Sequence, residues 1–382
     1  MSRQQAAPAA KLSARMKKQN IKDLVQDGNH FQKRVAAKVG ARRRLLVGLD
    51  MHGGQVTVGM QEDGGKVRPA GRMAHGQCLI WLERKLLEGW EVHGCYEAGV
   101  YGYWFHRRLV NLGVKNLVVA PKAMGEGGKR QKTDRLDSLE LCQELERFLG
   151  GNQKAFNVVP VPEPELEEKR SLERFHRQLM KDKGRFISRG KNLLCGQGVM
   201  VGNWWKAKTL ELIVATNQLG ELYREQLRSW REKILALEAE EKPLRKRIEA
   251  LAPAGLPKGM GAYSAAVLFL EMRAWNRFSQ AAQVSSYTGL CPGVHTSNGK
   301  GREGSINRCG NAAVRWILVE MVWRMRKWQP GYGPIVELKE SLSRGRRARK
   351  RLVVKAARLL AIDLWRLMSG RASAQELGLA IG

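Results

Sequence analysis

The sequence predicts an α/β domain followed by a mainly helical region, and three observations carry that expectation. Short apolar strands alternate with amphipathic helices between residues 45 and 150. Apolar residues at heptad steps mark long helices between residues 227 and 251. A Gly-, Ser- and Arg-rich segment then separates further apolar helices over residues 256–370.

Charge narrows the partners. The 382 residues carry 67 Lys+Arg against 36 Asp+Glu, a formal net charge of +31. An excess of that size is the footprint of a polyanion partner, nucleic acid first and an anionic membrane surface second. No apolar run reaches the roughly 18–20 residues that span a bilayer, and the polar N-terminal stretch has no signal-peptide core. A cytoplasmic protein associated with a bacterial or archaeal nucleoid is expected. Cys78, Cys95, Cys142, Cys195, Cys291 and Cys309 are scattered without a Cys-x-x-Cys pair, which speaks against a zinc ribbon and a disulfide framework. The seven histidines show no metal-ligand spacing.

Residues 1–44 hold twelve Lys and Arg against Asp23 and Asp27, and read as a basic arm that contacts phosphate. A first strand over residues 45–50 ends in Asp50, and a second covers 55–60. Glu62–Asp63–Gly64–Gly65 is a hairpin turn into a third strand beginning at 66–68. Leu79, Leu82 and Leu86 mark a helix over 77–87. Residues 90–97 form a strand that ends in Glu97, and 101–112 a helix stopped at Gly113. A strand over 116–120 ends at Pro121, and a Gly/Lys loop leads to the helix that begins at Asp134.

This β-β-β-α-β-α-β-α succession is the layout of the ribonuclease-H-like fold, in which the first and fourth strands lie side by side. Asp50 and Glu97 should then converge at one sheet edge, where α/β sites are built. Asp134 and Asp137 share one helix face and should cap the same edge. Taken alone, the helix pair could serve only the helix dipole. Four converging carboxylates repel one another unless cations neutralise them, and a pair of Mg²⁺ ions, with Mn²⁺ as the alternative, is the expected occupant.

Beyond a proline-rich linker starting at residue 158, helices are expected up to residue 255. One carries Leu172, Phe175 and Leu179 and is weakened by Gly184, Gly190, Gly196 and Gly198. The other carries Leu227, Trp230, Ile234, Leu237, Leu244, Ile248 and Leu251, with a kink or restart at Pro243. These helices pair either within the chain or across subunits. The turn over residues 256–261 precedes helices at 262–272, 281–290 and 312–328, with a long loop over 291–310. Arg344, Arg346, Arg347, Arg349, Lys350 and Arg351 lead into an apolar-faced helix, and residues 371–382 form a tail.

Leu46–Val47–Gly48–Leu49–Asp50, Tyr96–Glu97–Ala98 and Lys132–Thr133–Asp134–Arg135–Leu136–Asp137 together resemble the Asp-Glu-Asp-Asp (DEDD) domain of insertion-sequence transposases, a RuvC-like fold shared with Holliday-junction resolvases. The segment from Pro292 to Gly310 is similar to the second domain of that family, with its Pro-x-x-x-x-Ser-x-Gly-Lys pattern. The resemblance covers residues 45–368 and extends to bridge-RNA-guided recombinases and Piv-type DNA invertases. It implies a RuvC-like domain over 45–157, a linker and coiled-coil helices over 158–255, and a serine-bearing transposase domain over 256–370.

It also implies a serine nucleophile in the second domain, acting with the metal site of the first. Ser297, before Asn298–Gly299–Lys300, fits that place, with Asn298 where glycine is common; Ser305, Ser285 and Ser286 fit less well. The implied partners are donor and target DNA, a structured guide (bridge) RNA, and further copies of the chain in a dimer or tetramer. Lys132, Lys300, Arg302, Arg308, Arg346, Arg347, Arg349 and Lys350 are the expected phosphate contacts. Two rivals stand beside this enzyme: a metal-dependent nuclease or junction resolvase in which water attacks, and a non-catalytic RNA- or DNA-binding protein.

Overall fold

The computed structural model describes residues 43–121, 134–216, 219–297, 300–306, 308–340 and 346–382, with the backbone alone at 216, 294–297, 300–305 and 346–348. Nearly all of the expected basic arm, and Lys132, lie outside the described residues. The fold is mixed α/β and mostly helical. Its contacts divide into two compact units, Met1–Pro162 and Glu163–Gly382.

The first unit follows the order β1 (Arg44–Met51), β2 (Gln55–Glu62), β3 (Arg68–Ala74), α1 (His75–Leu87), β4 (Glu91–Glu97), α2 (Trp104–Leu112), β5 (Lys115–Val119) and α3 (Asp134–Leu149). The strands form one sheet in the order β3-β2-β1-β4-β5. β1 runs antiparallel to β2 and parallel to β4. The turn that leaves β2 toward β3 is fixed by local chemistry: Asp63 and Gly64 both take positive φ, 45° and 72°, a conformation that Asp and Gly tolerate better than most residues.

Alternation along β1 builds two cores. Leu45, Val47 and Leu49 pack with Leu82 of α1 and with Phe105 and Leu109 of α2. Leu46 points the other way and packs with Cys142 and Leu145 of α3. Both faces of β1 are therefore covered, which is why it reads as a continuous apolar run.

Two glycines decide how closely α3 approaches. Gly48 and Gly59 are register partners on β1 and β2. A Cβ on Gly48 would lie 2.2 Å from the Ser138 carbonyl oxygen and 2.5 Å from the Cys142 nitrogen. A Cβ on Gly59 would lie 2.5 Å from the same Ser138 oxygen. The helix backbone thus rests on a floor without side chains, one residue beyond Asp137.

The second unit contains α4 (Pro164–Gly196), α5 (Ala207–Thr216), α6 (Glu221–Glu249), α7 (Ala262–Met272), a 3₁₀ turn at Trp275–Arg277, α8 (Ala281–Thr288), β6 (Pro292–Ser297), β7 (Lys300–Ile306), α9 (Ala312–Trp328), α10 (Gly333–Glu340) and α11 (Arg346–Met368). α4 and α6 run antiparallel and pair within the chain. Lys183 meets Glu238 and Glu241, and His176 meets Glu241. The heptad residues Leu227, Ile234, Leu244 and Ile248 are buried.

Three local expectations change here. α4 runs straight through Gly184 and Gly190. Gly190 is filled from outside: the Trp204 ring packs against it, and a Cβ there would lie 2.0 Å from that ring. The indole Nε1 donates to the Ile187 carbonyl at 2.9 Å, so the glycine is a socket and not a break. α6 likewise continues through Pro243, whose one missing hydrogen bond is outweighed by buried heptad residues on both sides. Finally, the expected loop over 291–310 is largely a two-stranded antiparallel sheet, with Ser297 paired to Lys300. Asn298–Gly299 between them is the strongest short hairpin signal a sequence can carry.

The stretch expected as a tail folds back on the second unit. Leu379 is buried, Lys258 N donates to Ala380 O at 2.9 Å, and the Gln329 side chain grips both strands of that contact.

The glycine floor yields a prediction. Gly48→Ala forces α3 away from the sheet and should destabilise the protein by about 1–3 kcal/mol, the usual scale of overpacking. Gly54→Ala, which meets nothing within 4 Å, is the control and should be near neutral. Thermal melts of the two variants check this; equal melting temperatures would show that α3 is not held by the floor.

Candidate metal centre

The site grows from the carboxyl end of β1. Asp50 is its last inward acid, and His52 follows two residues later on the same side. Across the sheet, Asp50 is the register partner of Thr57, and Thr57 of Arg72. Asp134 opens α3 above this row, where an acid also suits the helix dipole.

The side chains close around one point. His52 Nε2 lies 3.2 Å from Asp50 Oδ2 and 3.5 Å from Asp134 Oδ2. Arg72 donates to Asp134 Oδ2 and, at 3.4 Å, to the Thr57 hydroxyl. Glu97 ends β4, beside β1, and shares with Asp50 a cavity of about 180 Å³. Leu141 of α3, one turn beyond Asp137, lines the same cavity.

Electrostatics link the acids. Burial pushes the Asp50 carboxyl above its ordinary range, His52 opposes that, and the charges of Asp134, Asp137 and Glu97 each add to it. Each of the other three acids therefore lies close enough to raise the free energy of ionised Asp50.

The donor set fits a divalent cation. Ligand atoms of Asp50, His52 and Asp134 lie within 4.8 Å of one another. Carboxylate oxygens suit hard ions such as Mg²⁺, and a carboxylate set with one imidazole also suits Mn²⁺. His52 and Arg72 were not expected from the sequence. The Asp50-x-His52 spacing on a strand was a usable signal for the first. The second was hidden by a register shift between β2 and β3 at Val58/Gly59.

Apart from Lys132, which lies outside the described residues, the remaining expected site residues lie apart from this cluster in sequence, on the second unit. Ser297 ends β6 opposite Lys300 of β7. The side chains of Ser297, Lys300, Arg302, Arg346 and Arg347 lie outside the described residues. Arg308 takes a left-handed conformation with φ 58°. Arg349 and Lys350 are exposed on α11.

The base of the β6–β7 hairpin is firmly held. A Cβ on Gly310 would lie 2.3 Å from Gly289 N and from Tyr287 O, so the two ends of the segment touch. Asn311 N donates to Tyr287 O at 2.7 Å, and the Asn311 side chain caps α9. Its amide also donates to Glu271 at 2.7 Å, and Glu271 is paired with Arg170 at 2.9 Å.

Comparison with known proteins bears on this hairpin unit first. Residues 257–337 match the Transposase IS116/IS110/IS902 family, a span running from the turn before α7 into α10. The chain resembles insertion-sequence transposases. It is 28% identical over 305 residues to y4rJ of Sinorhizobium fredii (strain NBRC 101917 / NGR234), a protein named as a transposase, covering 72% of this chain and 76% of the relative. It is 25% identical over 218 residues to the transposase for insertion sequence element IS1533 of Leptospira borgpetersenii, covering 55% and 62%. A protein of Pseudomonas aeruginosa named as a family 20 transposase is 25% identical over 238 residues, covering 58% and 67%. Among the described residues, no helix is long and apolar enough to cross a membrane.

The raised Asp50 pKa has a signed consequence. A carboxyl whose folded pKa is raised opposes folding where it is ionised, and that penalty fades as pH falls through the folded value. In metal-free buffer near pH 7, Asp50→Asn should therefore melt above the wild type, with the gap narrowing on acidification toward about pH 4. Mn²⁺ should raise the wild-type melting temperature and leave the variant's unmoved. A variant that melts lower at neutral pH, or that keeps the Mn²⁺ shift, would remove Asp50 from the centre.

Proposed function

We propose that this chain is the transposase of an insertion sequence, a site-specific recombinase that cuts and rejoins DNA through a serine–DNA intermediate. The observation that carries the reading is the Asp50–His52–Asp134 cluster, with Glu97 and Asp137 close enough for their charges to act on Asp50, in a chain of net charge +31. The transposase relatives and the matched family span support it. The strand order β3-β2-β1-β4-β5, with β1 parallel to β4, supports a ribonuclease-H-like, RuvC-like first domain.

In this mechanism Asp50, Glu97, Asp134 and Asp137, with His52 beside them, would hold Mg²⁺ or Mn²⁺. The ion, when bound, supplies positive charge to the scissile phosphate and polarises it. Arg72 and His52 hold Asp134 in place, and the Arg72 guanidinium offsets its charge. Ser297 Oγ gives up its proton and bonds to phosphorus, while the bond to the 3′ oxygen breaks and leaves a free 3′-OH. Rejoining reverses these bonds with the 3′-OH of a different strand. Lys132, Lys300, Arg302, Arg308, Arg346, Arg347, Arg349 and Lys350 offset phosphate charge. A structured bridge RNA, paired to donor and target DNA, selects the sequences, and two or four copies of the chain bring the strands together.

Denaturing electrophoresis after incubation with DNA, RNA and Mg²⁺ tests the reading. Wild type should give a covalent protein–DNA band. Ser297→Ala should lose that band and strand exchange by at least about a thousandfold, while Ser305→Ala and Ser286→Ala keep both. Asp134→Asn should lose cleavage but keep DNA binding within a few-fold, because the basic surface holds the duplex. Cut ends from Ser297→Ala at the wild-type rate would instead mark a water-using nuclease or junction resolvase. Binding with no cleavage by wild type would mark a non-catalytic nucleic-acid-binding protein.

A further inference from the structure

Tryptophan is the side chain a protein least readily leaves in water without use, since its large apolar area is costly to expose. The tryptophans of the second unit outside α9 are buried or half-buried: Trp204, Trp275 and Trp365 are 1%, 6% and 5% exposed. α9 breaks that pattern. Trp316, Trp323 and Trp328 are 46%, 42% and 53% exposed.

The opposite face of α9 accounts for the helix. Val314, Ile317, Leu318, Met321, Val322 and Met325 are buried in the core of the unit. The outward tryptophans are therefore not needed to hold α9 in place. Trp316 and Trp323 are seven residues apart, which places them on one stripe about 10 Å apart along the axis. Trp328 lies off that stripe, against Gly259, where a Cβ would lie 3.0 Å from the Trp328 side chain.

Charge surrounds the rings. Arg315, Arg324, Arg326 and Lys327 share the helix with a single acid, Glu320. The Arg326 guanidinium stands 5.4 Å from the Trp323 ring centre, and the Lys327 ammonium 5.2 Å from that of Trp328. Arg324 is tied down by the carbonyls of Gly259 and Met260 at 3.2 and 2.7 Å, and the charge of Glu320 acts on it. Aromatic rings spaced along a basic stripe are the elements of a single-strand binding surface: bases stack on the rings while cations meet the phosphates.

We propose that the Trp316–Trp323 face of α9 binds an unpaired DNA strand by base stacking. A duplex does not fit, because its bases already cover each other's faces. A second copy of this face does not fit either, because its cations would meet like charge. The choice of DNA rests on the recombinase reading, in which cutting and rejoining leaves strand ends unpaired. The two tryptophans are not among the residues assigned there to metal, nucleophile and phosphate contact.

Fluorescence anisotropy tests the proposal with the full-length protein in EDTA, where binding is read without cleavage. The probes are a labelled single-stranded DNA oligonucleotide, the duplex made from it, and an RNA strand of the same sequence. Trp316→Ala and Trp323→Ala should each weaken single-stranded DNA binding roughly 5- to 150-fold, while duplex affinity moves less than about 2-fold. Trp316→Phe should recover most of the loss, because a smaller ring still stacks. These exposed substitutions should leave the melting temperature nearly unchanged. Equal losses on duplex and single strand, or no loss at all, would overturn the proposal. So would an RNA strand that binds more tightly with the same tryptophan dependence, or a change in sedimentation showing that the face joins two copies. Since no cleavage is read, failure here leaves the serine and metal assignments standing, and their failure leaves this one.

Discussion

Everything in the first unit depends on how close the backbone of α3 can come to the sheet. Gly48 and Gly59 give it a surface with no side chains, and Ser138 settles onto both. That contact sets the height of Asp137 immediately before it and of Asp134 one turn earlier. The distances from Asp134 to His52 and Arg72 follow from the same contact. A metal centre built from one strand end and one helix start needs this kind of rigid spacing, because carboxylates on separate elements converge only if the elements do.

The electrostatic design runs against the overall charge. A chain with an excess of 31 positive charges sets Asp50 where burial and the charges of Asp134, Asp137 and Glu97 all raise the energy of its ionised form. Arg72 supplies positive charge inside the cluster. The arrangement keeps the carboxylates together in a protein whose remaining surface attracts a polyanion. Local negative charge within a positive field is how a cation and a phosphate can be brought to one place.

Much of the first unit was legible in the sequence because its signals are local. Apolar strands ending in Asp50 and Glu97, the Asp63–Gly64 turn and the Asp134–Asp137 pair each declare themselves within a few residues. Arg72 did not, because it reaches the site through strand register, and a bulge at Val58/Gly59 hides that register. In the second unit, glycine misled. Gly190 reads as a helix breaker until Trp204, fourteen residues away, is seen to fill the space beside it. Pro243 does not restart the helix for a related reason: propensity is local, while the packing that overrides it comes from another helix. The loop expected over 291–310 failed differently, since Asn298–Gly299 was a readable turn signal that basic and glycine-rich surroundings obscured.

The touching glycines at the base of the β6–β7 hairpin have a mechanical consequence. Gly289 and Gly310 fix both ends of the segment at one spot, so the hairpin is a lever with a single fulcrum. The six residues of β6 carry Ser297 about 20 Å from that fulcrum at the usual rise of a strand. A rotation of about 10° at the base would sweep the tip by about 3–4 Å. The Asn311–Glu271–Arg170 chain stiffens that fulcrum, so the aim of the distal strand end is set by hydrogen bonds a full strand length away.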